Sequence, residues 1–419
     1  MSIWEQTLRT RLAKHDSEGL MRVRKSRESH AGLISFSSND YLGLMSEPLL
    51  LQAFSDGASR FGFGTGSSPL VSGYSSVHQA CEEAFAEHFK RDKALLFSNG
   101  YLANIGILPA LFDENSTLFF DKYSHASLYD GAKLSGAKIE RYAHLDLAHL
   151  ERLLGKKETA LACIVSESIF STDGSSAEIP SLIELSKRYD TALMIDDAHG
   201  FGVFDFPYSQ TEVPLLTCPL GKALGGFGAV VSGSQLLIEA LMQFSRSYMF
   251  STAPPPAIAY ALTQGLKLMQ NSPWRREKLF ENIEFFKEEA RQLGLAFSPS
   301  DHPIQSLVLG DPEKALQLKQ ELFQAGFDVT VMRPPTVPLA KTLLRVSLSA
   351  SHSKEELRGF LQSLSERYLD HPLLRRGARG EGSYLIKEST RNFLFIEPTS
   401  TLPSSTGGGV LTHKGVPHV

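Results

Sequence analysis

The stretch ALMIDDAHG, residues 192–200, places two aspartates and a histidine directly after a run of apolar residues. The apolar part is typical of a buried β-strand, and the polar residues follow at its carboxyl end. Similar apolar runs, each followed by a small polar cluster and a helical pattern, recur at 94–97, 118–120, 161–165 and 228–231. Strands that alternate with helices predict an α/β fold with a mostly parallel sheet. Such sheets bind ligands beyond the carboxyl ends of their strands, so the polar clusters are the candidate site.

The chain divides by pattern into four parts. Residues 1–45 are predicted to form an N-terminal arm with a polar helix over 4–28, and residues 46–270 a large domain. Residues 271–370 are predicted to form a small C-terminal α+β domain with strands at 304–309 and near Val329 and Val346. Residues 371–419 are a low-complexity tail that contains PTSTLPSSTGGG.

Composition excludes several classes of protein. Among 419 residues, 42% are hydrophobic and 21% are charged, with a net charge of -4. This is typical of a globular protein and lacks the basic field that a nucleic-acid partner requires. The three cysteines are far apart and match no disulfide or zinc spacing, and no apolar run reaches the roughly 18 residues of a membrane span. We therefore expect a cytoplasmic protein with no metal site and no nucleic-acid or membrane partner.

Two segments carry residues suited to covalent chemistry. Asp196, directly after the apolar run at 192–195, could cap a helix or form a structural pair. Alternatively, its carboxylate could lie beside a pyridinium nitrogen and keep that ring protonated, so that the ring draws electrons from a carbanion. Lys222 lies in LGKALGGFG, residues 220–228, where glycines clear space for a planar ligand. A lysine in an apolar pocket can lose its proton and attack an aldehyde, although most lysines are simply solvated.

Two further segments follow predicted strands and begin helices. Gly100 and Tyr101, in SNGY, would offer free backbone N–H groups to a phosphate, or would form only a capping turn. His125, in SHASL, is either a capping histidine or a ring that stacks on a planar cofactor.

Together these pieces resemble the α-oxoamine synthases, which are pyridoxal-phosphate enzymes of the aspartate-aminotransferase fold, fold type I. The resemblance spans roughly residues 1–370, and its segments occur in the family's order. Within the family, the likeness is greatest to members that join L-alanine to a pimeloyl thioester in biotin synthesis. The matching segments are SFSSNDYLGL (35–44), LVSGYSSVHQACEE (70–83), LLFSNGYLANIG (95–106), SHASL (124–128), SIFSTDG (168–174), IDDAHGFGV (195–203), LGKALGGFGA (220–229), FSTAPPP (250–256) and RPPTVP (333–338).

The resemblance implies a role for each matching residue. Lys222 is implied as the lysine that forms a Schiff base with pyridoxal phosphate, Asp196 as the partner of the pyridine nitrogen, and His125 as the stacking ring. The other implied cofactor contacts are Gly100, Tyr101, Ser171, His199 and Thr252. Thr252 would come from the second subunit of a homodimer with shared active sites.

The resemblance also implies a substrate side. Arg345, in LLRVSL, would pair with the amino-acid carboxylate, for which a planar bidentate guanidinium is well suited. Thr336, in RPPTVP, would contact the acyl substrate. The family's arginine for the acyl carboxylate falls at Met21, so Arg22 is the expected substitute and Arg24 is close by. The acyl carrier stays open between coenzyme A and acyl carrier protein.

One departure from the family concerns the phosphate. Pro219 stands where members usually carry a threonine, and proline offers neither a hydroxyl nor an N–H. The lost hydrogen bond would cost about 1.5–3 kcal/mol unless Thr217 or Thr252 compensates.

Three alternatives stay open. The first is a sister enzyme that joins glycine or serine to another acyl thioester, and the second is an aminotransferase of the same fold. The third is a catalytically silent regulatory subunit, against which the presence of Lys222 counts.

Overall fold

The computed structural model describes residues 1–24, 26 and 32–370. The predicted tail, 371–419, lies outside the described residues. Twelve strands and thirteen α-helices are found within that described part. The strands are β1 Ile34–Ser35, β2 Lys93–Phe97, β3 Ser116–Asp121, β4 Lys138–Tyr142, β5 Leu161–Glu167, β6 Ala192–Asp196, β7 Leu215–Pro219, β8 Ala229–Gly233, β9 Ile304–Val308, β10 Phe327–Asp328, β11 Thr330–Met332 and β12 Leu343–Ser347. The helices are α1 Ile3–Ser17, α2 Pro48–Phe61, α3 Ser76–His88, α4 Gly100–Leu111, α5 Ala126–Ser135, α6 Leu147–Leu154, α7 Ile179–Arg188, α8 Gln235–Phe244, α9 Arg246–Met249, α10 Pro256–Gln270, α11 Pro273–Gln292, α12 Pro312–Gln324 and α13 Lys354–Asp370.

A seven-stranded sheet forms the centre, in the order β2-β8-β7-β6-β5-β3-β4. Strands β3 to β7 pair in parallel, whereas β8 pairs antiparallel with both β2 and β7. The predicted mostly parallel sheet is therefore confirmed. Strand β4 escaped the prediction because it lies at an edge and carries Lys138, Glu140 and Arg141 among only five residues.

Apolar side chains cover both faces of this sheet. Ile164 and Ile195 belong to a cluster on one face, whereas Val165 and Met194, their neighbours in sequence, belong to a cluster on the other. Burial on both faces explains why the central strands are apolar runs rather than alternating patterns. The buried sheet fixes the positions of its strand ends.

A smaller antiparallel sheet, β11-β12-β9, follows in the C-terminal part. Helix α13 packs against α11 and α12. The predicted elements of an α+β region are thus present, while its exact boundaries with the large domain stay predictions.

The N-terminal arm differs from the expectation. Helix α1 ends at Ser17 instead of continuing to residue 28, and the chain turns at Gly19 with a φ of +66°. None of its residues is buried, because its charges are spread around the helix and leave no apolar stripe. Further along, β1 pairs in parallel with β10 and so joins the arm to the C-terminal part.

The three cysteines are buried and free. No helix in the described part is long and apolar enough to cross a bilayer.

Candidate active site

Three polar residues lie side by side where β5, β6 and β7 end. The strand register pairs Asp196 with Glu167 on one side and with Thr217 on the other. All three are buried. The sheet thus gathers polar groups at the carboxyl ends of its parallel strands, as the sequence predicted.

Asp196 is held by two hydrogen bonds. One carboxylate oxygen accepts from the side-chain amide of Asn104 at 2.8 Å, and the other accepts from the backbone N–H of Ala198 at 3.1 Å. The second bond is the local turn-capping role that the sequence left open. The first fixes the carboxylate toward α4, so the side chain is positioned before any ligand arrives.

Lys222 lies in a tight turn between β7 and β8. Backbone bonds close this turn, from Gly226 N to Leu220 O at 3.0 Å and from Gly225 N to Lys222 O at 2.8 Å. The amine nitrogen lies 2.8 Å from Nε2 of His199. Withdrawal from water lowers the pKa of Lys222 to about 8, although the negative charge of Asp196 opposes this shift. An amine with this pKa is partly neutral near physiological pH and can act as a nucleophile.

A chain of hydrogen bonds leads from Lys222 to Arg345. The hydroxyl of Tyr41 lies 2.7 Å from Nδ1 of His199 and 3.3 Å from the amide oxygen of Asn39. That same oxygen accepts from Arg345 at 3.0 Å. Burial and the nearby charge of Lys222 hold the pKa of His199 well below its usual range, so the imidazole is neutral. The chain links the amine to a buried guanidinium.

His125 caps helix α5 and is also open to a ligand. Its Nδ1 accepts from the backbone N–H of Ser127 at 3.3 Å, and its own backbone N–H donates to Glu167 at 2.7 Å. The residue is nevertheless exposed. Capping and stacking are therefore compatible, because the cap uses only one edge of the ring.

Helix α4 presents its first turn beside this group. The side chain of Asn99 accepts from Leu102 N, while the N–H groups of Gly100 and Tyr101 precede the first intrahelical bonds. A methyl group built at Gly100 would lie 2.5 Å from Cγ of Pro219. Position 100 therefore requires glycine, and Pro219 lies against a helix start whose free N–H groups are of the kind that bind anions.

Arg345 lies in the middle of β12 and is 4% exposed. One terminal nitrogen of its guanidinium donates to Asn39, and its Nε has no partner within the described residues. A buried guanidinium with a free donor is suited to a carboxylate ligand.

The two segments that carry the residues expected to contact the acyl substrate are joined by hydrogen bonds. Arg333 donates to the backbone oxygens of Gly19 and Met21, the latter at 3.1 Å, so the segment that carries Arg22 meets the turn that carries Thr336. Arg22 and Thr336 are both exposed.

Ser171 and Thr252 are two further residues that the resemblance implied as cofactor contacts. Ser171 is half-buried in the turn that follows β5, at the same sheet edge as Asp196. Thr252 is exposed between α9 and α10, and no hydrogen bond within the described part joins it to Lys222 or Asp196.

The sequence assigned no role to several residues that complete the site. Asn39 and Tyr41 were present only as letters of a matching segment, and their contacts depend on the arm crossing the sheet. Glu167 ended a strand without a helical pattern to mark it. His302, whose Nε2 lies 2.7 Å from the backbone oxygen of His199, comes from a distant loop that only the tertiary fold brings near.

The residues fit pyridoxal phosphate. Ten buried side-chain polar atoms of the described part have no hydrogen-bond partner, and three of them, Asn104 Oδ1, Thr217 Oγ1 and Arg345 Nε, lie beside or within the hydrogen-bonded group. Buried groups of this kind usually find a partner, so a polar ligand is expected there. An amine for an aldehyde, a carboxylate for a pyridinium and a helix start for a phosphate match this cofactor's three polar parts. No group of three or more metal-ligating side chains is found in the part of the chain that the structure describes.

Comparisons with known proteins agree with this geometry. The family model for class I and II aminotransferases matches residues 31–364. The 8-amino-7-oxononanoate synthase of Pseudomonas savastanoi pv. phaseolicola is 42% identical over 389 residues, covering 88% of this chain and 96% of the relative. The enzyme of the same name from Saccharophagus degradans is 43% identical, covering 80% and 86%.

Solved structures lead to the same family. The 8-amino-7-oxononanoate synthase of Francisella tularensis is 34% identical with a TM-score of 0.71, covering 80% of this chain and 97% of that one. A variant of the serine palmitoyltransferase from S. paucimobilis, solved with a bound aldimine of pyridoxal phosphate and myriocin, is 26% identical with a TM-score of 0.76, covering 80% and 87%. The chain therefore belongs to the class I and II aminotransferase family and, within it, to the 8-amino-7-oxononanoate synthases, which are pyridoxal-phosphate enzymes.

Proposed function

We propose that this protein condenses L-alanine with a pimeloyl thioester, with loss of carbon dioxide, to form 8-amino-7-oxononanoate in biotin biosynthesis. The names of its relatives support the product. The observation that carries the proposal is the amine of Lys222, whose pKa is about 8 and which is bonded to His199 in a cluster with Asp196.

Pyridoxal phosphate, when bound, supplies an electron-poor ring that stabilises a carbanion at the α-carbon of the amino acid. Lys222 would hold its aldehyde carbon, Asp196 its ring nitrogen, and His125 one face of its ring. Its phosphate would meet the first turn of α4, at Gly100 and Tyr101, whose N–H groups are free of intrahelical bonds. His199 and Ser171 would contact its ring hydroxyl.

The residues around Lys222 suit proton transfer at the α-carbon. The neutral amine of Lys222 would take the α-proton of L-alanine, because a base whose pKa is about 8 can both accept and return a proton near neutral pH. Because His199 is neutral, it holds the amine of Lys222 by a hydrogen bond without placing a second positive charge beside it.

Arg345 and Asn39 would bind the carboxylate of L-alanine. Arg345 is buried, already bonded to Asn39, and keeps a free Nε donor. A fixed guanidinium orients the amino acid so that the α-proton faces the amine, and positioning of this kind is a large part of catalysis.

The acyl substrate would lie between the arm and the turn at 333–338. Thr336 would contact the acyl chain and Arg22 its terminal carboxylate, with Arg24 as the alternative. The bonds from Arg333 to the arm hold these two segments together. Coenzyme A and acyl carrier protein are both possible carriers.

The active protein would be a cytoplasmic homodimer in which Thr252 of each subunit reaches the phosphate of the other. The exposure of Thr252 in the single chain supports this arrangement. Exposed apolar side chains also support it, namely Phe250 near Thr252 in the chain and Phe63 in the segment that bonds to Ala253.

A substrate panel tests the proposal. Purified protein is mixed with L-alanine, glycine or L-serine and with pimeloyl or palmitoyl coenzyme A, and products are identified by mass spectrometry. We expect 8-amino-7-oxononanoate from L-alanine and the pimeloyl thioester, no product from Lys222→Ala, and unchanged turnover in the exposed-lysine control Lys267→Ala. Turnover only with glycine or serine would assign a sister activity instead, and conversion of alanine to pyruvate without a thioester would assign an aminotransferase.

A further inference from the structure

The segment immediately after Thr252 is fixed by an earlier part of the chain. Thr65 Oγ1 donates to the backbone oxygen of Ala253 at 3.0 Å, and Ala253 N donates to Ser67 O at 2.9 Å. One residue further, Nε2 of His78 lies 2.7 Å from the backbone oxygen of Pro254. Three hydrogen bonds thus hold two consecutive residues next to Thr252.

The partners of His78 determine its tautomer. Its Nδ1 accepts from the backbone N–H of Ser75 at 3.2 Å, and a backbone N–H can only donate. The oxygen of Pro254 can only accept, so Nε2 carries the hydrogen and donates it. His78 is 2% exposed, and burial lowers its pKa, which keeps the ring neutral. His78 therefore donates to Pro254 as a neutral ring with its hydrogen on Nε2.

The three prolines after Ala253 transmit this constraint. Pro254 and Pro255 have restricted backbones, and Pro256 begins α10. A segment this stiff cannot move at Pro254 without moving Thr252. Ala253 and Pro254 are buried, whereas Thr252 is exposed, so the bonds to the chain's own interior leave Thr252 facing outward.

Exposed apolar side chains lie next to these segments in the chain. Val71 is 78% exposed in the π-helical turn Pro69–Gly73, which packs against α9. Phe250, which follows α9, is 67% exposed. Monomeric proteins rarely expose apolar side chains together in this way, and a second copy of the chain is the partner that the proposed function already requires.

We propose that His78 is a positioning residue that acts across the subunit interface: by holding Pro254, it aims Thr252 of its own subunit at the cofactor phosphate of the other. This inference rests on the proposed homodimer. It predicts that loss of His78 weakens cofactor binding in the neighbouring site and leaves its own site intact.

Hybrid dimers test this directly. Two differently tagged chains are co-expressed and the hybrid is purified through both tags. In the first hybrid, one chain carries His78→Leu and the other carries Lys222→Ala. In the second, one chain carries both substitutions and the other is wild type. Each hybrid contains the same two substitutions and one intact Lys222, so a general loss of stability affects both alike.

The dissociation constant for pyridoxal phosphate at the intact Lys222 is read from its visible absorption. We expect wild-type affinity in the first hybrid and about tenfold weaker binding in the second. Leaving a buried carbonyl unpaired costs about 1.4 kcal/mol, which corresponds to a tenfold change in affinity. The His78→Leu homodimer should be weakened at both sites. His78→Gln, which keeps a donor at a similar reach, should restore most of the affinity.

Equal affinity in the two hybrids, or weakening of the first alone, overturns the role of His78 while leaving the dimer and its activity in place. A monomer in sedimentation, with full activity, overturns the homodimer and this inference together. Thr65→Val provides a milder second variant. It removes the hydroxyl that donates to the backbone oxygens of Ala253 and Ser67, at 3.0 and 3.2 Å, and leaves the bond from His78 in place. It should give the same pattern with about threefold weakening.

Discussion

At the scale of the single residue, the pKa of Lys222 governs when the site can react. Burial lowers that pKa to about 8, against about 10.4 for a free lysine. Only the neutral amine attacks an aldehyde, so the rate at which cofactor-free protein captures pyridoxal phosphate should rise about tenfold per pH unit below pH 8 and level off above it. Stopped-flow absorbance at a series of pH values measures this rate.

Substitution of Asp196 tests how the charge of its carboxylate affects the pKa of Lys222. The charge of Asp196 raises the pKa of Lys222, so Asp196→Asn should move the inflection to a pH below 8. An inflection near pH 10 in the wild type would mean that the amine is fully hydrated, contrary to its burial.

The hydroxyl of Tyr41 provides a second prediction. Tyr41→Phe leaves Nδ1 of His199 buried without its partner, which costs about 1–3 kcal/mol. We expect kcat/KM to fall about tenfold and the pH titration of the visible cofactor band to shift, because the ring beside Lys222 is no longer held. Tyr142→Phe removes the hydroxyl of an equally buried tyrosine in β4 and should change neither quantity. An unchanged titration in Tyr41→Phe would show that His199 is positioned without Tyr41.

The sequence predicted some of these residues better than others. Lys222, Asp196 and His199 stood beside strand ends with glycines around them, so local pattern and resemblance sufficed to place them in one site, and their roles stay predictions. The contacts of Tyr41 and Asn39 could not be predicted, because they form only when the folded arm crosses the sheet. Thr252 was assigned to the second subunit by resemblance alone, and a single chain leaves that a prediction.

At the scale of the element, helix α4 and strand β7 form the expected phosphate site together. Gly100→Ala would place a methyl group 2.5 Å from Pro219 and push the helix start away from the strand. We expect about tenfold weaker binding of pyridoxal phosphate, measured by titration of the cofactor-free protein, because the N–H groups would no longer converge on one anion. Gly155→Ala, where the nearest atom lies at 3.5 Å, is the matched control. Equal affinity in both variants would place the phosphate elsewhere.

Element prediction succeeded where burial was complete. Strands β5 and β6 are buried on both faces and read as unbroken apolar runs, and the structure extends them by only one or two residues. Strand β4 failed because charged side chains face water at the sheet edge. Helix α1 was predicted too long, since charge pattern alone does not mark where a helix without a buried face ends.

At the scale of the whole molecule, three distant parts of the chain converge on the site: the arm, the central sheet and β12. Asn282 in α11 contributes to this convergence. Its side-chain amide donates to the backbone oxygens of Ser349 and His352, each at 2.9 Å. Ser349 in turn donates through its hydroxyl to the backbone oxygen of Asp40 in the arm.

Asn282→Ala should therefore destabilise the whole protein. Two buried carbonyls lose their donor, so the free energy of unfolding should fall by about 2–4 kcal/mol in urea denaturation. The exposed control Asn115→Ala should change it by less than about 0.5 kcal/mol. A fall of that smaller size in Asn282→Ala would show that water replaces the lost bonds.

The central claim is that Lys222 holds pyridoxal phosphate covalently, and one measurement tests it most directly. The protein is loaded with the cofactor, reduced with borohydride and digested, and the phosphopyridoxyl group is located by mass spectrometry. The account predicts the label on the peptide that contains Lys222, and its loss in Lys222→Ala while Lys267→Ala keeps it. A label on another lysine, or no label in the wild type, would contradict the account.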